Sequence, residues 1–296
     1  MRGEVIVGYD GRDPALDAVV LGRLLAEVGG VPLSLAIALP YDPLLVGLEE
    51  YESGLEQDSK RLLERAQPYL EGVEFETRAY GGESPARLLN DLAEREGAEV
   101  IVLGSTHRGA IGSLVPGSVA ERLLAGAPCS VAVAPRGFAE RERPKLGAIG
   151  VGFDGSEESR GALRVAAELA DASGAALRMF AIVEPPGLAS PEAAWMATSV
   201  LGGGDWDVES KRERRLEEAV SEALASLPDG IDSSHELVGG DPGTILIERS
   251  REVDLLVIGS RRYGPVRRVL LGDVSERVVR NASSPVVVVP RGAGES

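Results

Sequence analysis

The chain carries one pattern twice, so any fold read from it must be one that each half can build. The stretch from Val102 to Leu124, VLGSTHRGAIGSLVPGSVAERLL, returns from Val257 to Val279 as VIGSRRYGPVRRVLLGDVSERVV. At an offset of 155 residues, Gly104 aligns with Gly259, Ser105 with Ser260, Gly109 with Gly264 and Gly117 with Gly272. Val119 aligns with Val274, and Glu121-Arg122 with Glu276-Arg277. The match runs on without a gap to Pro135-Arg136-Gly137 and Pro290-Arg291-Gly292. The opening stretches also match: Val7-Gly8-Tyr9-Asp10-Gly11 pairs with Val151-Gly152-Phe153-Asp154-Gly155, at an offset of 144. A repeat of this length has to be settled before any local reading. It predicts two units, 1–140 and 146–292, joined by the charged segment Glu140–Lys145.

Each unit has the same order of elements. An apolar strand (Val5–Gly8; Ala148–Phe153) leads through an Asp-Gly turn into an Ala- and Leu-rich helix (Pro14–Val28; Glu157–Ser173). A second strand follows (Pro32–Leu39; Ala176–Val183), then a polar helix (Glu52–Tyr69; Val208–Ser226). A third strand (Val73–Tyr80; Ser233–Val238) precedes another helix (Ser84–Glu96; Gly243–Arg251). The fourth strand (Val100–Leu103; Leu255–Ile258) runs into the glycine-rich loop. A last helix and strand (Val131–Ala134; Val286–Val289) close the unit. Strands that alternate with helices, and are apolar throughout, form a parallel sheet covered on both faces. The expected fold is therefore α/β, with two tandem five-stranded, parallel, doubly wound domains. Ligands of such sheets sit beyond the carboxyl ends of the strands.

The repeated stretch lies at such an end. Glycines there let backbone approach a ligand. The helix after Gly117 exposes unpaired N–H groups and the positive end of its dipole, which attract an anion. Ser118 either donates to a phosphate oxygen or caps the helix. No Lys-Ser or Lys-Thr follows the glycines, so the loop is not a P-loop, and Gly8-Tyr9-Asp10-Gly11 does not complete a dinucleotide fingerprint.

Taken together, the repeat and its glycine spacing make the chain resemble a tandem universal stress protein, two UspA-type domains fused. The family signature is Gly, two residues, Gly, nine residues, Gly, then Ser or Thr. The resemblance implies an adenine nucleotide α-hydrolase-like fold and a site for ATP or a related nucleotide, ADP or AMP, with Mg as an optional companion. It places Gly8, Tyr9 and Asp10 at the end of the first strand and just beyond it, and Ala38 at the end of the second, on the adenine and ribose side. Leu103, Gly104, Thr106, His107, Arg108, Gly109, Gly117, Ser118 and Val119 then wrap ribose and phosphates. The family joins its last strands across a dimer interface. The two closing strands are thus expected to meet as an internal pseudo-dimer, with further self-association through the same strands. The function implied is a stress-response binding and regulatory module, with at most slow ATP hydrolysis. The alternative is a nucleotide-free scaffold in which both loops have lost the ligand.

Both units depart from the signature. His107 stands at the second glycine of unit one, and Arg262 at that of unit two. Asp273 replaces the Ser of unit two. An Asp there is a resident negative charge at the helix dipole's positive end, able to cap the helix and repel a phosphate. Arg261, Arg262, Arg267 and Arg268 offset it, pair with it, or form a solvated basic face. Unit one is therefore expected to keep a nucleotide site and unit two to have a weakened one. Asp10 and Asp154 either bind ribose hydroxyls or cap the next helix, and turn chemistry alone also accounts for an Asp-Gly pair.

Composition excludes several classes. The net charge of −16 argues against nucleic acid, whose phosphates demand a basic face. No apolar run approaches the roughly 18 residues that span a bilayer. The opening MRGEVIVGYDG lacks the apolar stretch and cleavage site of a signal peptide, and the single cysteine, Cys129, suits a reducing compartment. A cytoplasmic protein is expected. His107 and His235 are the only histidines, with no spacing for a zinc site and no nucleophile elbow. The stretch Glu184–Asp207 holds both tryptophans, Trp195 and Trp206, and reads as a lid, a partner surface or a mobile connection.

Overall fold

Both units open with a buried strand that ends in an Asp-Gly turn, β1 (Val5–Tyr9) in the first and β6 (Ala148–Phe153) in the second. Gly11 and Gly155 sit at φ of 79° and 78°, a left-handed geometry that a Cβ disfavours. The aspartate before each glycine accepts an N–H two residues on. Arg12 N–H reaches Asp10 Oδ1 at 3.0 Å, and Ser156 N–H reaches Asp154 Oδ1 at 2.9 Å. The turn reading of both aspartates is thereby met. The chain then enters α1 (Asp13–Gly29) or α5 (Glu157–Ser173).

The computed structural model describes residues 3–39, 47–81, 84–106, 114–141, 144–183, 205–260, 269 and 271–291. Unit one continues with β2 (Leu33–Leu39), α2 (Glu49–Ala66), β3 (Phe75–Gly81), α3 (Pro85–Glu96), β4 (Val100–Gly104), α4 (Ser118–Leu123) and β5 (Ser130–Ala134). Unit two continues with β7 (Ala176–Val183), α6 (Asp205–Ala225), β8 (Ser233–Gly239), α7 (Pro242–Arg249), β9 (Leu255–Gly259), α8 (Asp273–Asn281) and β10 (Val286–Val289). The expected elements are all present, with ends moved by a few residues. Of the stretch read as a lid, partner surface or connection, residues 184–204 lie outside the described residues.

The strand order is β3-β2-β1-β4-β5-β10-β9-β6-β7-β8, one sheet of ten strands. Every neighbouring pair is parallel except β5 and β10, which meet antiparallel with Val133 opposite Val286 and Val131 opposite Val288. The expected internal pseudo-dimer is thus built from the two closing strands. These valines are fully buried, so a strand that would otherwise present an open edge is paired within the chain.

Alternation along each strand divides the core. Val5, Val7 and Tyr9 of β1 pack on the α1 side, while Ile6 packs with α3 and α4 on the other. Further contacts hold unit one together and tie it to unit two. Asp17, buried in α1, accepts Gly137 N–H at 3.0 Å and Ala139 N–H at 2.8 Å, clasping the turn that leaves β5. Burial pushes its carboxyl above the ordinary value, against the pull of those N–H groups. Arg280 of α8 donates to Glu121 of α4 at 3.0 Å, and Val269 N–H donates to the Ala127 carbonyl at 2.8 Å. Among the described residues no helix is long and apolar enough to cross a membrane.

Candidate functional site

Small residues on the α3–α4 face leave a hollow beyond the carboxyl ends of β1, β2 and β4. Its floor is Gly8, Ala36, Ala38 and Leu103, and the cavity holds about 370 Å³. A Cβ on Gly8 would stand 2.6 Å from Leu103 Cδ2, so a side chain there would push the tip of Leu103 aside. Pro85 and Leu88, at the start of α3, form one wall. Gly117, Ser118 and Val119, at the start of α4, form another.

The stem of the glycine loop sets the third wall. Ser105 N–H donates to the Ala134 carbonyl at 3.0 Å, and Ser105 Oγ accepts Val115 N–H at 2.6 Å. Thr106 N–H donates to the Val115 carbonyl at 2.7 Å. These bonds hold Thr106 at the cavity, where its Oγ1 is buried without a hydrogen-bond partner among the described residues. A buried hydroxyl of this kind costs about 1–3 kcal/mol unless something completes it.

The residues expected at the site are largely brought together. Gly8, Asp10, Ala38 and Leu103 line the cavity, as do Gly104, Thr106, Gly117, Ser118 and Val119. Tyr9 borders it too, but its ring belongs to the core on the α1 side, where its hydroxyl is buried and has no hydrogen-bond partner among the described residues. Burial pushes the Tyr9 phenol up to about 12. His107, Arg108 and Gly109 lie outside the described residues.

Two reasons attached to these residues need correction. Gly104 is not bare for the sake of a ligand: a Cβ there would overlap the Pro14 carbonyl oxygen, so the glycine lets α1 cross β4. Gly259 does the same against Glu158, whose carbonyl carbon and oxygen lie 2.8 Å from the Cβ position. Nor do Ser118 and Asp273 cap their helices. The N-caps are Gly117 and Gly272, and both side chains follow at the first helical position. In unit two Ser275 Oγ accepts Gly272 N–H at 2.8 Å; unit one has Ala120 at that place and no side-chain cap.

The residues that sequence reasoning missed include Arg12, Pro14, Ala36, Pro85 and Leu88. Reading the 144-residue offset position by position would have found several. Ala36 and Ala38 align with Phe180 and Ile182, Arg12 with Ser156, and Pro14 with Glu158.

The matching cavity of unit two holds about 300 Å³. Ile182 lines it where unit one has Ala38, while Phe180 covers Gly150 on the strand beside it. Its described lining includes Asp154 and the buried Glu158, and no Lys or Arg. Arg277 of α8 donates to Asp241 at 3.0 and 2.7 Å and to Thr244 Oγ1 at 3.1 Å, strapping the start of α7 to α8. These bonds hold the Asp241 carboxyl far below the usual range. Unit one has Ser84 there, whose hydroxyl only accepts Arg87 N–H at 3.5 Å.

Comparison with known proteins agrees with this geometry. The model of the universal stress protein family matches residues 1–135 and again 146–290. Universal stress protein Rv2005c of Mycobacterium tuberculosis is 28% identical over 301 residues, covering 96% of this chain and 96% of its own. Among solved structures, a universal stress protein from Archaeoglobus fulgidus superposes with a TM-score of 0.68 at 19% identity, over 99% of this chain and 100% of that one. A structure from Pseudomonas aeruginosa gives 0.64 at 18%, over 97% and 92%. These two likenesses speak for the fold, and the family model speaks for descent: the chain belongs to the universal stress protein family, with two family domains in tandem.

Proposed function

We propose that unit one binds ATP or a related adenine nucleotide, ADP or AMP, and that the protein acts in the cytoplasm as a binding and regulatory module of the stress response. The observation that carries this reading is the cavity at the carboxyl ends of β1, β2 and β4, with the buried Thr106 hydroxyl, unpartnered among the described residues, at its wall. Its floor of Gly8, Ala36, Ala38 and Leu103 suits the flat, apolar face of a purine. Asp10, exposed at the mouth, suits ribose hydroxyls, which donate to a carboxylate. Thr106, Gly117 and Ser118 then face the phosphates. Among the described residues no group of three or more His, Cys, Asp and Glu is placed to hold a metal ion. An accompanying Mg would ride on the phosphates of the nucleotide itself.

Unit two, with Ile182, Glu158 and the Asp241–Arg277 strap around its cavity, serves in this reading mainly as the partner that completes the sheet. Calorimetric titration of the full chain with ATP, ADP and AMP is the test. One site per chain is expected. Two equivalent sites would remove the asymmetry, and absence of binding by all three would remove the nucleotide reading.

A further inference from the structure

Arg12 occupies a place where a helix does not favour an arginine. It is the N-cap of α1, and its side chain makes no capping hydrogen bond. The aligned residue of unit two, Ser156, is an ordinary cap whose Oγ accepts Ser159 N–H at 3.2 Å. A cation at the amino end of a helix also opposes the helix dipole. Unit one therefore forgoes a cap and sets a positive charge against the positive end of α1. Positions that break a local rule in this way are the expected marks of function.

The position faces the cavity. Arg12 lines it, and among its described lining residues Arg12 is the one cation. The side chain is 73% exposed, and its Nε lies 3.7 Å from Asp10 Oδ2. An ion pair so open to water is weak, so little opposes exchange of Asp10 for another anion. The chain as a whole carries a charge of −16, and an anionic ligand approaches it against that field.

We propose that Arg12 is the residue that selects phosphorylated ligands in unit one. Its guanidinium turns from Asp10 to the ligand's phosphate, leaving the Asp10 carboxylate to the sugar hydroxyls. The fork of N–H donors suits phosphate oxygens, and the added charge favours polyphosphate over monophosphate and both over the bare nucleoside. The inference deepens the nucleotide reading, and its anion-selecting part stands apart from the adenine.

The test is calorimetry on the full chain, wild type, Arg12→Ser and Arg12→Lys, with ATP, AMP, adenosine and inorganic tripolyphosphate. Arg12→Ser imports the cap of unit two, so its thermal midpoint should not fall. It should weaken ATP and tripolyphosphate about tenfold or more and leave adenosine within about twofold, while Arg12→Lys keeps most of the ATP affinity. The salt dependence of ATP binding should be shallower in Arg12→Ser than in wild type. Unchanged ATP affinity, or an equal loss for ATP and adenosine, would overturn the proposal while leaving the nucleotide site standing. Arg12-dependent binding of tripolyphosphate without any adenine ligand would leave Arg12 standing and overturn the nucleotide reading. A wild-type protein that takes none of the phosphate ligands would overturn both.

Discussion

The two cavities lie on one sheet, at corresponding strand ends, yet their walls have diverged in a consistent direction. Where unit one has Ala38, Pro14 and Arg12, unit two has Ile182, Glu158 and Ser156. One cavity has gained room and a cation; the other has a larger side chain and a carboxylate. Meanwhile Gly11 and Gly155, Asp10 and Asp154, Gly104 and Gly259 are the same in both. Positions that make the fold repeat in both units, because backbone geometry allows nothing else. Among the positions that line the cavity, those whose side chains add no turn or strand crossing, such as Arg12 and Ala38, are the ones that differ.

The fold-making class can be broken at Gly104. Alanine there would drive a Cβ into the Pro14 carbonyl, which is backbone and cannot move aside without shifting α1. Gly104→Ala should cost about 3 kcal/mol or more in urea-melt stability. Gly259→Ala meets Glu158 backbone at 2.8 Å, a milder overlap, and should cost about 1–3 kcal/mol. Equal, small losses at both sites would mean that these glycines do serve ligand approach.

The cavity-facing class can be exchanged between units. Ala38 is half-buried on an open floor, so Ala38→Ile should fold with a cost below about 1 kcal/mol. By filling the floor it should weaken ATP binding in unit one at least tenfold, about 1.4 kcal/mol. The reverse change, Ile182→Ala together with Asp273→Ser, should raise nucleotide affinity in unit two. If Ala38→Ile binds ATP as the wild type does, the base does not lie over β2.

How far these differences are legible in sequence depends on their physical kind. The order of elements follows from apolar runs and turn residues, which are local signals, and the repeat from comparing the two halves, while the pairing of the valine strands is what the family resemblance implies. The site residues Gly8, Asp10, Ala38, Gly104 and Gly117 follow from family spacing. What spacing does not carry is the reason for each. Gly104 looks the same whether a ligand or the turn of α1 presses on it, and only the crossing of α1 over β4 decides. The helix boundary decides whether Ser118 and Asp273 cap, and one residue of register moved both to the first turn. Arg12 escaped notice because an exposed arginine beside an aspartate is ordinary in sequence. It becomes informative only when set against Ser156, its counterpart in unit two.

The smallest contrast between the units is Tyr9 against Phe153, a single hydroxyl. The Tyr9 hydroxyl is buried on the α1 side without a hydrogen-bond partner among the described residues, so it carries a desolvation cost that Phe153 avoids. Tyr9→Phe should therefore stabilise the protein by about 1 kcal/mol at neutral pH and leave nucleotide affinity unchanged. Alkaline pH sharpens the contrast. The phenol titrates near 10 in the unfolded chain and near 12 in the folded one. Below pH 10 both states hold the proton and pH has no effect through this group. Between 10 and 12 the unfolded state releases the proton while the folded state keeps it, so the wild type loses stability as pH rises. The loss amounts to about 1.4 kcal/mol for each pH unit in that window, and the phenylalanine variant escapes it. Denaturant melts of both proteins from pH 8 to 11.5 should thus show a gap that is flat to about pH 10 and widens above it. A gap that stays constant would mean that water reaches the phenol and that the α1 side of unit one is less tightly closed than that of unit two.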